Sequence, residues 1–146
     1  MKAGLDLGGT NIQAVVTDGD ARVAGAARRE TPSAGPEAVA DELAAAVRDA
    51  AAAAGVAPGE LSGVGVGAPG SIDPARGVVT KIANIAGWDE PFPLAEALGS
   101  RLGLPVAVGN DVSAAVEAER RFGAGREHNS FLCVFWGTGV GGGIVV

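Results

Sequence analysis

Two glycine-rich turns, one near each end of the chain, combine residue types that suit phosphate binding. The first consists of Gly8, Gly9, Thr10 and Asn11 and follows Asp6, whereas the second begins with Gly137, Thr138 and Gly139. Glycines let backbone N–H groups approach phosphate oxygens closely, and a carboxylate nearby can hold Mg²⁺, usually through water. The pattern predicts phosphate contacts at both turns and a magnesium position at Asp6, although the first turn taken alone also fits an ordinary Gly-Gly hairpin.

The second turn also matches the letters of a dinucleotide fingerprint, G-x-G-x-x-G, with Gly142 as its last glycine. That fingerprint needs a helix after the glycines, so that the helix N-terminus meets the pyrophosphate. The strand-like Ile144-Val145-Val146 follows instead, which argues against a nicotinamide cofactor. A second phosphate hairpin fits better, with residues 137–143 as its glycine loop, and two such hairpins facing each other across a cleft could clamp a polyphosphate. The sequence contains no G-x-x-x-x-G-K-[ST] P-loop.

The pair Asn110-Asp111 lies between a predicted strand and a predicted helix. Asn or Asp at this point also favours a helix N-cap, worth about 1 kcal/mol, and one residue can serve both purposes. The helix macrodipole favours the charged form of a carboxylate here, which makes it a weak base. Phosphoryl transfer tolerates a weak base because positioning of the attacking hydroxyl dominates. Asp111 is therefore the candidate catalytic carboxylate.

Two loops that follow the strand predicted at residues 61–67 are candidates for contacts with a sugar. Ligands of open α/β sheets bind beyond the carboxyl ends of the strands. Gly70, which precedes Ser71, could let the backbone approach a sugar, and Asn84 could hydrogen-bond to its hydroxyls. We interpret Trp88 as packing of a loop lid and the single histidine, His128, as a solvated residue.

The elements that must position these residues follow from the hydrophobic periodicity. An opening meander of three antiparallel strands is predicted, and then an alanine-rich amphipathic helix with Val39, Leu43 and Val47 on one face. Strands and helices alternate after that. The predicted strands are at 2–7, 11–18, 23–29, 61–67, 105–108 and 131–136, and the predicted helices at 37–54, 94–102 and 111–122. This α/β order matches a ribonuclease-H-like, actin-like ATPase domain.

The last residues predict a hairpin whose first strand begins at Phe131. A lone two-stranded hairpin is marginally stable, and the segment 123–129 before it is polar and contains glycine. We therefore expect an N-terminal domain over residues 1–127 and, over 128–146, the first hairpin of a second domain of the same kind.

Composition excludes several classes of function. The chain has 146 residues, 47% of them hydrophobic, and a net charge of −6, so it lacks the basic surface that nucleic-acid binding requires. The single Cys133 cannot build a disulfide framework or a cysteine metal site, and a buried small hydrophobe is expected there. No apolar run approaches the ~18 residues of a membrane span. A cytoplasmic protein is the default expectation.

Taken together, the motifs resemble the ROK family of repressors, open reading frames and kinases. The residues that carry the resemblance are 5–11, 67–70, 84–88, Asn110-Asp111 and 137–143. The loop 84–88 with Glu90-Pro91 is more similar to the glucokinase branch, and no helix-turn-helix of the repressor branch precedes the first turn. The resemblance implies a two-domain sugar kinase that binds a hexose and Mg-ATP in its cleft, usually as a homodimer.

Roles follow from the resemblance residue by residue. Asp111 would accept the proton of the sugar 6-hydroxyl, and Asn110 would hold neighbouring hydroxyls. Asp6 would organise Mg²⁺ or its water. The phosphate contacts would come from both turns: Gly8, Gly9, Thr10 and Asn11 of the first, and Gly137, Thr138 and Gly139 of the second.

The chain departs from the family at Gly109, where glutamate is common, and at Ser113, where asparagine is common. The family's zinc cluster and adenosine site belong to a second domain, so no zinc is expected here. The leading expectation is phosphorylation of a hexose, glucose first, at O6. A sugar-sensing regulatory module or a non-catalytic remnant is the alternative, and the choices between hexoses and between ATP and polyphosphate as donor stay open.

Overall fold

The computed structural model describes residues 1–136 and 140–146, and its first three strands form the expected antiparallel meander. Strand β1 is Lys2–Leu7, β2 is Asn11–Thr17 and β3 is Val23–Glu30. The remaining elements are helix α1 (Pro36–Ala53), strands β4 (Val64–Ala68), β5 (Ser71–Asp73) and β6 (Val78–Lys81), helix α2 (Leu94–Leu102), strand β7 (Val106–Asn110), helix α3 (Asp111–Phe122), and strands β8 (Phe131–Trp136) and β9 (Val140–Val145). The predicted order of elements is confirmed.

A five-stranded sheet with the order β3-β2-β1-β4-β7 forms the body of the fold. Strands β1, β2 and β3 pair antiparallel, whereas β4 and β7 continue the sheet in parallel with β1. The strand predicted at 61–67 begins three residues later, because a 3-10 turn at Pro58–Glu60 ends at Leu61. Because β1, β4 and β7 run parallel, their carboxyl ends lie at one edge of the sheet.

Helix α1 covers one face of this sheet. Pro36 lies in its first turn, where a missing N–H costs no hydrogen bond, and Gly55 follows its end in the left-handed conformation that favours glycine. Val39, Leu43 and Val47 are fully buried, as their spacing predicts. Helix α2 packs against α1 and β7.

The opposite face of the sheet carries small residues over most of its area. Gly4, Val15, Gly65 and Ala107 line a groove there, next to the N-terminal half of α3. A Cβ built on Gly65 would meet no atom within 4 Å. The groove continues to the edge where β1, β4 and β7 end, and it therefore leads to the candidate site.

Strands β8 and β9 form a separate two-stranded sheet. This hairpin packs on α3 through Gly141 and Gly143, whose added Cβ atoms would lie 3.0 Å from Val112 and 2.8 Å from Val116. Its other face exposes apolar side chains, among them Leu132, Trp136 and Ile144. Cys133 lies on the face that packs on α3, opposite Gly143, but it is only half-buried because an open pocket adjoins it, so the expectation of a buried residue was wrong.

None of the helices in the described residues is long and apolar enough to cross a membrane.

Candidate active site

The turn between β1 and β2 exposes N–H groups, whereas its Gly8 and Thr10 carbonyl groups accept hydrogen bonds. The Thr31 hydroxyl donates to the Gly8 carbonyl at 2.7 Å, and the Thr31 N–H donates to the Thr10 carbonyl at 3.0 Å. Among the hydrogen bonds of the described residues, the N–H groups of Gly9 and Thr10 have no partner. A turn with free N–H groups and engaged carbonyls attracts anions. Such a geometry would suit a phosphate group, and the predicted phosphate contacts of this turn stay a prediction.

Neither glycine of this turn has a left-handed φ, so the surrounding space decides, and only Gly8 faces a backbone atom closer than 3.0 Å. A Cβ on Gly8 would lie 2.9 Å from the Asn11 carbonyl oxygen, and a Cβ on Gly9 would lie 2.6 Å from Asn84 Nδ2. Gly9 thus brings the loop of Asn84, a predicted sugar residue, directly against the first turn.

The structure assigns different positions to Asn110 and Asp111. Asn110 is the N-cap of α3, and its Oδ1 accepts from the Ser113 N–H at 3.1 Å. Asp111 is the first helical residue, and one of its carboxylate oxygens accepts from the Val112 N–H at 2.8 Å. The capping role therefore falls to Asn110, and the second carboxylate oxygen of Asp111 has no hydrogen-bond partner among the described residues.

Asp6 and Asp111 are 105 positions apart in the sequence, and Gly67 lies next to both of them. It pairs with Asp6 in the β1–β4 ladder, and its added Cβ would lie 3.4 Å from Asp111 Cα. Asp6, Gly67 and Asp111 line the same groove. Two carboxylates thus meet where the parallel strands end.

The pKa of Asp6 is raised above its ordinary value, first because its carboxyl is partly desolvated in the groove and second because Asp111 lies nearby. A carboxyl whose charged form is disfavoured by burial and by a nearby carboxylate is a suitable neighbour for a cation. Within the described residues there is no cluster of three or more potential metal ligands. These observations fit a magnesium ion held through water by Asp6, with the donor phosphates as its other ligands.

The loops predicted to contact a sugar lie at the same end of the sheet. Strand β5, which begins with Ser71, contacts β7, the strand that ends at Asn110. Gly70 has φ +88°, and a Cβ there would collide with the Lys81 carbonyl, so the β5–β6 hairpin itself requires this glycine. Asn84 is exposed. Trp88 is buried and packs edge-on against Phe92 with ring centroids 5.7 Å apart, which confirms its interpretation as loop packing.

The glycine loop predicted at residues 137–143 is partly strand. Gly137, Thr138 and Gly139 lie outside the described residues. Strand β9 already begins at Val140, so residues 141–143 are strand residues and not the loop that we expected. The glycines at 141 and 143 are there because α3 leaves no space for larger side chains.

Sequence reasoning missed three residues around the first turn: Gln13, Arg28 and Thr31. Gln13 faces Asp6 across β1 and β2, and Arg28 faces Gln13 across β2 and β3. The alternation of side chains along paired strands could have identified these two once the first turn was set. The anchoring role of Thr31 depends on backbone geometry and has no sequence signal.

This is part of an actin-like ATPase fold, with its candidate site at the ends of the parallel strands. The chain belongs to the ROK family, whose model matches residues 2–146. It is 39% identical to the glucokinase of Streptomyces coelicolor over 143 residues, which cover 98% of this chain and 43% of that protein. The resemblance expected from the motifs is confirmed.

Solved structures agree with this assignment. The ROK hexokinase from Thermus thermophilus superposes with a TM-score of 0.86 at 41% identity and covers 99% of this chain and 46% of that one. The ROK family glucokinase from Streptomyces griseus, in complex with glucose and AMPPNP, gives a TM-score of 0.86 at 39% identity, with 99% and 44% covered. A ROK transcriptional regulator, homologous to the E. coli MLC protein, shares the fold at 20% identity. The chain thus spans less than half the length of each of these relatives.

Proposed function

We propose that this chain supplies the acceptor side of the active site of a sugar kinase, which transfers the terminal phosphoryl group of ATP to the 6-hydroxyl of a hexose, with glucose as the leading substrate. The observation that carries the proposal is the meeting of Asp6 and Asp111 in one groove beside a turn with free N–H groups. The Streptomyces griseus relative holds glucose and AMPPNP, which supports a hexose and an adenine nucleotide.

In the proposed mechanism Asp111 accepts the proton of the attacking hydroxyl. The Val112 N–H fixes one carboxylate oxygen, so the other is oriented before the sugar arrives. The Asn110 Oδ1 is engaged in capping, which leaves its NH₂ group to donate to sugar hydroxyls. Positioning of this kind accounts for most of catalysis in phosphoryl transfer.

The first turn would hold the donor phosphates. The N–H groups of Gly9 and Thr10 suit phosphate oxygens, and Gly137, Thr138 and Gly139 are proposed as the opposing contacts. Mg²⁺, held through water by Asp6, would supply neutralisation of the phosphate charge. Asn84, Gly70 and Ser71 are proposed to contact the sugar.

The test is Asp111→Asn in the full-length protein. Asparagine keeps an oxygen for the Val112 N–H but cannot accept the proton, so kcat for hexose phosphorylation should fall by about 10²- to 10⁴-fold. Glucose affinity, measured by calorimetry, should stay within about threefold. The matched control is Asp20→Asn, which removes an exposed carboxylate in the β2–β3 turn and should leave kcat unchanged.

Two results would redirect the assignment. Retained turnover in Asp111→Asn would show that Asp111 is not the base. A wild-type protein that binds glucose but phosphorylates no hexose with ATP or polyphosphate would favour the alternative, a sugar-sensing member of the family.

A further inference from the structure

A chain of hydrogen bonds connects Arg28 on β3 to the hydroxyl of Thr10 in the first turn. The Arg28 Nε donates to Asn11 Oδ1 at 3.3 Å, and the Asn11 Nδ2 donates to Thr10 Oγ1 at 2.9 Å. Arg28 and Asn11 lie on the same face of the sheet as Asp6, one diagonal step apart across β2 and β3. The chain therefore runs along the wall of the candidate site.

The direction of this chain is fixed at its Arg28 end. A guanidinium carries five N–H donors and no acceptor, so only the oxygen of the Asn11 amide can face it. The NH₂ group of Asn11 must then face Thr10. A neutral residue at position 28 that both donates and accepts would fix no such direction.

The fixed direction of the Asn11 amide also orients the Thr10 hydroxyl. Its oxygen accepts from Asn11, so its own proton must be directed at another acceptor. Among the described residues no acceptor for this proton is found. Phosphate oxygens are acceptors at neutral pH, and the free N–H groups of Gly9 and Thr10 belong to the same turn.

We propose that Arg28 is a positioning residue for the phosphoryl donor: through Asn11 it orients the Thr10 hydroxyl as a hydrogen-bond donor to a donor phosphate. This inference rests on the proposed function, because it assigns the direction of one hydrogen bond in the same turn that is proposed to bind phosphate. It predicts an effect on the donor and none on the sugar.

The experiment measures affinity for AMPPNP and for glucose by calorimetry in the full-length protein. Arg28→Met removes the fixed direction and should weaken AMPPNP binding by about fivefold to tenfold, which is less than the loss of a whole hydrogen bond to a charged group because the Thr10 hydroxyl is still present. Glucose binding should be unchanged. Arg28→Lys is again a donor without an acceptor and should restore most of the affinity. Arg22→Met, which removes an exposed arginine in the β2–β3 turn, is the control for loss of one positive charge.

A double-mutant cycle separates positioning from direct attraction of phosphate by the guanidinium. If Arg28 acts through Thr10, Arg28→Met should cost less than about twofold in a Thr10→Val background, where no hydroxyl remains to be oriented. A full additional loss in that background would overturn the proposal, and so would unchanged AMPPNP affinity in Arg28→Met. A wild-type protein that binds glucose but no AMPPNP would overturn the proposed donor and this inference together.

Discussion

At the end of β1, the Asp6 carboxyl is partly desolvated and lies near Asp111, and both effects raise its pKa. The folded state then holds this proton more tightly than the unfolded state does. The free energy of unfolding therefore falls as the pH rises from the ordinary pKa of 3.8 through the raised folded value. At neutral pH the charged Asp6 destabilises the free protein, and a bound cation would offset this effect.

Asp6→Asn should accordingly raise the Tm of the full-length protein at neutral pH, by at most about 3 °C because the carboxyl is still reached by solvent. The difference should vanish below pH 3.8, where both states bind the proton. Mg²⁺ with AMPPNP should raise the Tm of the wild type more than that of the variant. Calorimetric scans over pH make the comparison, with Asp20→Asn as the control. A lower Tm for Asp6→Asn at every pH would mean that the carboxylate has a stabilising partner.

Sequence alone could name part of the candidate site, but it missed Gln13, Arg28 and Thr31, and it could not show what each residue contacts. Residue type and spacing pointed to Asp6, Asp111 and the first turn, and the structure brings them into one region. Whether Asn110 or Asp111 caps the helix depends on which of them is the last residue with extended backbone before α3. That boundary differs by one residue between the two possibilities, which is finer than a hydrophobic pattern can locate.

At the scale of elements, β4 and α3 meet at Gly67. An added Cβ there would make ordinary contact with Asp111 Cα at 3.4 Å and with Asp111 Cβ at 3.8 Å. The space thus admits one methyl group and no more. The start of α3, and the Asp111 carboxylate with it, is positioned by the absence of a side chain on β4.

Gly67→Ala should therefore keep kcat within about threefold, whereas Gly67→Val should lower kcat by about 100-fold, because displacement of a catalytic group by about 1 Å has an effect of this size. The valine should also lower the free energy of unfolding by about 1–3 kcal/mol through overpacking. Steady-state kinetics and denaturant titration on both variants test this. Equal activity of the two variants would show that α3 can shift without loss of function.

The element that the sequence described least well is the second hairpin. Glycine is depleted in strands, so residues 141–143 predicted a loop. Packing on α3 overrides this preference, since larger residues at 141 and 143 would collide with Val112 and Val116. A sequence shows that glycines are present but not whether they serve a turn or a close contact.

The two sheets of the molecule differ in how well their apolar faces are covered by other elements. The face of the main sheet under α1 is fully packed, whereas the outer face of the β8–β9 hairpin is apolar and open, with Trp136 88% and Ile144 73% exposed. Continuous apolar surface of this kind marks an interaction surface or a site of self-association. The predicted division into residues 1–127 and 128–146 stays a prediction, and the separate two-stranded sheet is the observation that supports it.

The isolated chain of residues 1–146 should therefore self-associate through the outer face of this hairpin. Val134→Thr combined with Ile144→Thr keeps β-branched residues in the strands but removes apolar area, so it should shift the sedimentation profile toward the monomer. The matched control is Val23→Thr, which alters an apolar residue on β3 that is 61% exposed and lies outside the hairpin, and it should leave the profile unchanged. Because Val134 and Ile144 lie on the outer face of the hairpin, opposite the face that packs on α3, the double variant should preserve the helical circular dichroism signal. A wild-type chain that is monomeric at about 100 μM and binds no apolar dye would contradict this prediction. It would show that the hairpin face is covered within the chain itself, and that β8 and β9 pack on α3 in a different position.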